Sequence, residues 1–127
     1  MAMDKNTPIL VVDDYQTMVR IVRNLLQQLG FENIEDASDG TSALAKLRER
    51  DFGLVISDWM MEPMSGLELL RQVRADPGLK GLPFIMITAQ SRKDCVATAE
   101  QAGADAFIVK PFNAEALGEK IAAVAGR

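Results

Sequence analysis

The sequence predicts an α/β fold, a doubly wound five-stranded parallel sheet made of successive strand–helix units. Three observations carry that expectation. Short apolar runs recur at Ile9-Leu-Val-Val12, Leu54-Val-Ile56, Phe84-Ile-Met-Ile87 and Phe107-Ile-Val109. Runs this short, without polar alternation, suit strands buried on both faces. Stretches of helical periodicity lie between them, the order that builds βαβ crossovers. Each run also stops on a reactive group: Asp13-Asp14, Ser57-Asp58, Thr88 and Lys110-Pro111. In a parallel sheet all strand C-termini share one edge, where such folds place their chemistry.

The elements follow in order. Strand one is expected at about 8–13 and helix one at about 15–29. The apolar face of that helix is Met18, Ile21, Val22, Leu25, Leu26 and Leu29, with Gly30 as its C-terminal cap. Strand two, about 33–37, is polar (Asn33-Ile-Glu-Asp-Ala37), as an edge strand can be. Asp39 is placed to cap helix two, about 40–50, which buries Leu44 and Leu47. Strand three is about 53–57; helix three, about 65–75, carries Leu67, Leu70 and Val73 and stops at Asp76-Pro77-Gly78. Strand four is about 83–88, then helix four at about 92–102 with Ser91 before it and Gly103 after it. Strand five is about 105–109, and Asn113 caps helix five, about 114–125, which buries Leu117, Ile121 and Val124. These units use up residues 1–127, so a single domain with no output domain is expected.

Composition narrows the function. Nearly half of the 127 residues are apolar and a quarter charged, the profile of a globular domain. Net charge is −4 with no dense Lys/Arg run, which argues against a nucleic-acid partner. The longest early apolar run is four residues, too short for a signal core or a membrane span. Cys95 is the one cysteine, so no internal disulfide can form, and we read it as a small packing residue. A cytoplasmic monomer is expected. With no histidine, the chain has no imidazole base and cannot itself carry phosphohistidine.

The strand ends suggest the chemistry. Two carboxylates about 4 Å apart repel by ~4 kcal/mol at an effective dielectric near 20. If Asp13, Asp14 and Asp58 converge, either one holds a proton or a hard cation sits among them. Magnesium takes oxygen ligands, uses one or two carboxylates and leaves room for water and phosphate. Lys110 is a point charge suited to a phosphoryl oxygen, and the Thr88 hydroxyl can donate to another. Singly, each group also has an ordinary reading as a helix cap, strand residue or solvated terminus. Their coincidence at four strand ends favours metal-assisted phosphate chemistry.

Val11-Val-Asp-Asp14, Ile56-Ser-Asp-Trp-Met-Met61, Met64-Ser-Gly66, Ile87-Thr-Ala89 and Val109-Lys-Pro-Phe112 together resemble the receiver domains of two-component response regulators. The likeness covers essentially the whole chain and is strongest to stand-alone receivers of the chemotaxis CheY type. It implies a (βα)5 flavodoxin-like sheet in the strand order 2-1-3-4-5. It makes Asp58 the phosphoacceptor, attacking the phosphorus of a phosphohistidine on a histidine kinase or histidine phosphotransferase. It implies Mg2+ held by the Asp14 and Asp58 side chains, by Asp13 through water, and by the Met60 backbone carbonyl. Lys110, Thr88 and the Ala89 amide would bind the phosphoryl group. Thr88 and Phe107 would switch, repacking the face formed by helix four, strand five and helix five for a downstream partner, such as a flagellar motor switch protein. Met60 and Gln90 hold the positions that tune self-hydrolysis, so slow self-dephosphorylation is expected, and the chain is otherwise not an enzyme.

Two departures stand out. Glu62 occupies the position where the family usually has proline, with Pro63 following, and Phe107 lacks the hydroxyl of the tyrosine found in some relatives. Other classes fare less well. A phosphatase with an aspartyl nucleophile usually has a second acid two residues on, where this chain has Met60. A flavin module needs a Ser/Thr/Gly-rich phosphate loop where this chain has Asp13-Asp14-Tyr15. A phosphate shuttle or kinase-regulating receiver outside chemotaxis, or an adaptor that never takes phosphate, remains an alternative within the fold.

Overall fold

In the computed structural model the described residues are 5–59, 64–88, 98, 101–110 and 112–125. Five parallel strands form one sheet in the order β2-β1-β3-β4-β5. They are β1 (Ile9–Val12), β2 (Ile34–Ala37), β3 (Leu54–Asp58), β4 (Phe84–Thr88) and β5 (Ala106–Val109). The helices with defined bounds are α1 (Gln16–Gln28), α2 (Gly40–Glu49), α3 (Gly66–Ala75) and the C-terminal α4 (Ala114–Ala125), which is the fifth helix of the sequence reading. Of the expected fourth helix, Thr98, Gln101 and Ala102 are helical; its remaining residues, with Ser91, Arg92, Lys93 and Cys95, lie outside the described residues.

Alternate residues of the central strands feed two cores. Ile9, Val11, Ile56, Ile85 and Ile87 pack with α1 and α4 through Val22, Leu26, Leu117, Ile121 and Val124. Leu10, Val12, Val55, Phe84 and Met86 pack with α2 and α3 through Leu44, Leu47, Leu69, Leu70 and Val73. Burial on both faces is why these strands are continuously apolar in sequence.

Local chemistry explains the element ends. Gly30 sits at φ 98° past α1, Phe31 N donates to Leu26 O and Gly30 N to Gln27 O, a Schellman cap closed by Phe31 packing into the same core as Leu26. Asp39 caps α2 by accepting from Ser42 N at 2.7 Å. Ser65 caps α3 and Asn113 caps α4 in the same way. Asp76 stops α3 and accepts from Gly78 N, an Asx turn.

Two expectations need correction. Ile21 is not on the buried face of α1: it is 44% exposed, and Val19 is buried in its place. In α3 the inward residue is Leu69, with Leu67 only half-buried.

The N-terminal end of the sheet is tied by one cation. Arg74 donates to the carbonyls of Leu82 (2.7 Å), Gly103 (2.9 Å) and Lys80 (3.0 Å), and pairs with Asp105 at 3.0 Å. Asp105 in turn accepts from Phe84 N, so the starts of β4 and β5 are clamped to α3. The free edge of β2 is also covered. Ile9 N and Asp13 N donate to Asn33 O and Ala37 O, which turns the Ile34 and Asp36 carbonyls outward. Arg23 from α1 takes Ile34 O at 3.1 Å, and Lys46 from α2 takes Asp36 O at 2.6 Å.

Candidate functional site

β1 and β3 are neighbours in the sheet, so their ends bring Asp13 and Asp14 beside Asp58. One carboxylate oxygen from each of the three lies within 4.8 Å of the others. Asp13 and Asp58 are buried, 2% and 6% exposed, whereas Asp14 is exposed and opens the cluster to solvent. Neither Asp13 nor Asp14 caps α1 in the usual way. Tyr15 is the N-cap residue, and Asp13 Oδ1 instead accepts from Tyr15 N at 3.0 Å.

The opposite charge arrives from β5. Lys110 Nζ lies 3.0 Å from Asp58 Oδ1, and Lys110 N donates to Thr88 O at 2.8 Å, fixing the residue after β5 to the end of β4. Thr88, the last residue of β4, is buried at the same edge. The structure therefore brings together Asp13, Asp14, Asp58, Thr88 and Lys110, all five read from the strand ends. Met60, Glu62, Pro63, Ala89 and Gln90 lie outside the described residues, so the Met60 carbonyl and the Ala89 amide receive no placement. Phe107 is half-buried on β5 against the α2/α3 core.

The electrostatics of the cluster are unbalanced. Burial, reinforced by the Asp58 and Asp14 carboxylates, pushes the Asp13 pKa up to about 6, against the opposing effects of the Tyr15 N–H bond and the Lys110 ammonium. Asp13 Oδ2 is buried without a hydrogen-bond partner. A buried carboxylate oxygen with no donor, among two further carboxylates, fits a hard divalent cation. The donor set is all oxygen, which suits magnesium-like ions and not soft metals.

Gly66, part of the Met64-Ser-Gly66 motif, has a steric role that the motif alone does not show. A Cβ there would stand 2.0 Å from Asp58 O, and Gly66 N donates to Trp59 O at 3.0 Å. Ser57 Oγ, overlooked in the sequence, donates to Asp58 O at 3.0 Å. The backbone beside the central carboxylate is thus held from three sides, since Trp59 N also donates to Ile87 O. A serine N-cap followed by a glycine at the first position of the helix after the strand is the sequence signal for the first of these.

With this geometry the chain belongs to the response regulator receiver domain family, whose model matches residues 9–122. Among its relatives, the chemotaxis protein CheY-3 of Vibrio cholerae is 50% identical over 119 residues, 94% of this chain and 92% of that protein. The chemotaxis protein CheY of Pseudomonas aeruginosa is 50% identical over 113 residues, 89% of this chain and 91% of that protein. Among solved structures, the chemotaxis response regulator CheY4 of Vibrio cholerae superposes with a TM-score of 0.86 at 34% identity, covering 94% of this chain and 98% of that one. A response regulator from Chloroflexus aurantiacus gives 0.91 at 28% identity, covering 96% and 99%. The chain is thus a CheY-like receiver domain with a carboxylate cluster able to bind a metal. No helix among the described residues is long and apolar enough to cross a membrane.

Proposed function

We propose that this chain is a phosphorylation-driven signalling switch with Asp58 as its phosphoacceptor. The observation that carries the reading is the Lys110–Asp58 contact of 3.0 Å inside a cluster of three carboxylates. A carboxylate that is buried, paired with one ammonium and flanked by two acids is prepared to exchange its counter-charge when a phosphoryl group arrives.

The step balances simply. An Asp58 carboxylate oxygen attacks the phosphorus of a phosphohistidine on a partner protein; the P–N bond breaks as the P–O bond forms, and the imidazole leaves with its electron pair. Lys110 then sits beside the transferring phosphoryl oxygens and offsets their charge. The Thr88 hydroxyl donates to the bound phosphoryl group at the neighbouring strand end. Asp13, Asp14 and Asp58 would hold Mg2+, which when bound neutralises charge on the phosphoryl oxygens. Nothing in this scheme turns over a substrate, so the chain acts as a signalling protein with slow self-dephosphorylation.

The partners follow from the same step. The donor is a histidine kinase or histidine phosphotransferase. Two relatives at 50% identity are named for chemotaxis, which favours a downstream target in motility signalling, such as a flagellar motor switch protein.

The test is intact mass after incubation with acetyl phosphate and Mg2+, for wild type and Asp58→Ala. Gain of one phosphoryl mass in wild type alone supports the reading. No gain in wild type, with Trp59 fluorescence also unmoved by Mg2+ and beryllofluoride, overturns it in favour of an adaptor.

A further inference from the structure

Phe107 faces the α2/α3 side of the sheet, while Ile108, the next residue, faces the α1/α4 side. The helix α4 packs on the α1/α4 side through Leu117, Ile121 and Val124. A residue of α4 that meets the Phe107 ring must therefore reach around the open edge of β5. Lys120 does so, with Nζ 5.9 Å from the Phe107 ring centroid. Both side chains are half-buried, and no ion pair holds Lys120 among the described residues. The four-carbon stem of lysine can lie along an apolar edge while its ammonium rests on a ring face. Phe107 has no hydroxyl to anchor it, so among the described residues its orientation depends on the core it packs against and on this cation.

We propose that Lys120 is a positioning residue for Phe107, and that their contact sets how readily the site accepts a phosphoryl group. This rests on the reading of Asp58 as phosphoacceptor and of Phe107 as a switch residue whose ring, as the family resemblance implies, becomes more buried on activation. The cation favours the ring position seen here. A ring that buries itself further must leave the ammonium, so the contact opposes activation. A cation–π contact that is not fully desolvated is weak, worth roughly a two- to five-fold change in an equilibrium. That is enough to adjust a switch whose two states differ by little, and too small to lock it.

The contact itself is tested in the unmodified protein by NMR. The Lys120 ε-methylene protons should be shifted upfield by the ring, and Phe107→Leu should return them to the ordinary lysine position. An ordinary position in wild type overturns the proposal. Its consequence is tested with Lys120→Met, which keeps the stem and removes the charge, and with Lys120→Arg, which keeps a cation. The readouts are the Kd for beryllofluoride with Mg2+, followed by Trp59 fluorescence, and the rate of labelling by acetyl phosphate, followed by intact mass. Lys120→Met should tighten beryllofluoride binding and speed labelling two- to five-fold. Lys120→Arg should match wild type, and Lys120→Met should change nothing in a Phe107→Leu background. An unchanged Lys120→Met, or an equal effect in both backgrounds, overturns the inference while leaving the phosphoacceptor reading intact. Failure of wild type to be labelled at Asp58 overturns that reading, and the regulatory claim with it.

Discussion

Lys110 Nζ stands 3.0 Å from Asp58 Oδ1, an ion pair that spans β4 and joins the residue after β5 to the end of β3. Two roles meet in that one contact. The ammonium lowers the repulsion within the acid cluster, and it offsets negative charge that would otherwise draw a divalent cation.

Lys110→Met should therefore separate metal binding from transfer. Removing the competing cation raises the negative potential at the cluster, so Mg2+ should bind about tenfold tighter in a Trp59 fluorescence titration. Removing a charge that, in the proposed function, faces the phosphoryl oxygens should slow labelling by acetyl phosphate about 100-fold. Weaker Mg2+ binding in the variant would mean that Lys110 organises the cluster instead of competing for it.

Asp13 gives a pH dependence with a definite sign. Its folded pKa of about 6 lies above the ordinary 3.8, so between those values the folded chain binds the extra proton. Its contribution to stability is greatest below about pH 4 and is lost as the pH rises through about 6. Above that, the buried charge costs about 3 kcal/mol when no cation is bound. In EDTA, Asp13→Asn should stabilise the protein by about 2–3 kcal/mol at pH 8 and hardly at all at pH 4, measured by urea unfolding. Mg2+ should stabilise wild type at pH 8 far more than at pH 4. Equal effects of the substitution at both pH values would refute the buried-charge account.

Much of this was legible in the chain. Strand ends are legible because a strand buried on both faces must be apolar until it emerges, so Asp13, Asp58, Thr88 and Lys110 mark one edge without any knowledge of contacts. The polar β2 announced its edge position for the complementary reason. Other features were not legible. In α1 the apolar stripe is wider than the line that touches the sheet, so periodicity could not choose Val19 over Ile21. Asp13 and Asp14 are chemically identical in sequence, and only the fold buries the first and exposes the second. Arg74 meets Gly103 and Asp105 across a long separation that no local pattern encodes.

The β2 edge yields a prediction about association. Arg23 and Lys46 occupy the outward carbonyls of Ile34 and Asp36, and Arg50 pairs with Glu35 on the same strand. Carbonyls covered by side-chain donors are poorer partners for a strand from another molecule, in line with the ways edges are protected from pairing. The Arg23→Ala, Lys46→Ala double variant should show concentration-dependent dimers by sedimentation velocity near 100 µM, an estimate on the scale at which exposed edges aggregate. Each single variant leaves one carbonyl covered and should stay closer to wild type. A strictly monomeric double variant would show that the short strand and its twist protect the edge without help.

Gly66 offers the sharpest test of how the site is braced. Its Cα approaches the Asp58 carbonyl so closely that a Cβ would stand 2.0 Å from the oxygen, and its own N–H holds Trp59 O. Neither neighbour is a flexible side-chain end: both are backbone at the strand that carries the central carboxylate. Gly66→Ala must push α3 away or displace Asp58, with a cost of about 3 kcal/mol in urea unfolding by analogy with overpacked cores. Labelling by acetyl phosphate should slow more than tenfold, because small misplacements of a nucleophile are expensive. Gly81→Ala is the control, since a Cβ there meets nothing within 4 Å. Surface changes of that kind are expected to stay within about 0.5 kcal/mol of wild type. If the two alanine variants behave alike, α3 is free to slide against β3, and Asp58 is positioned by Lys110 and the cluster alone.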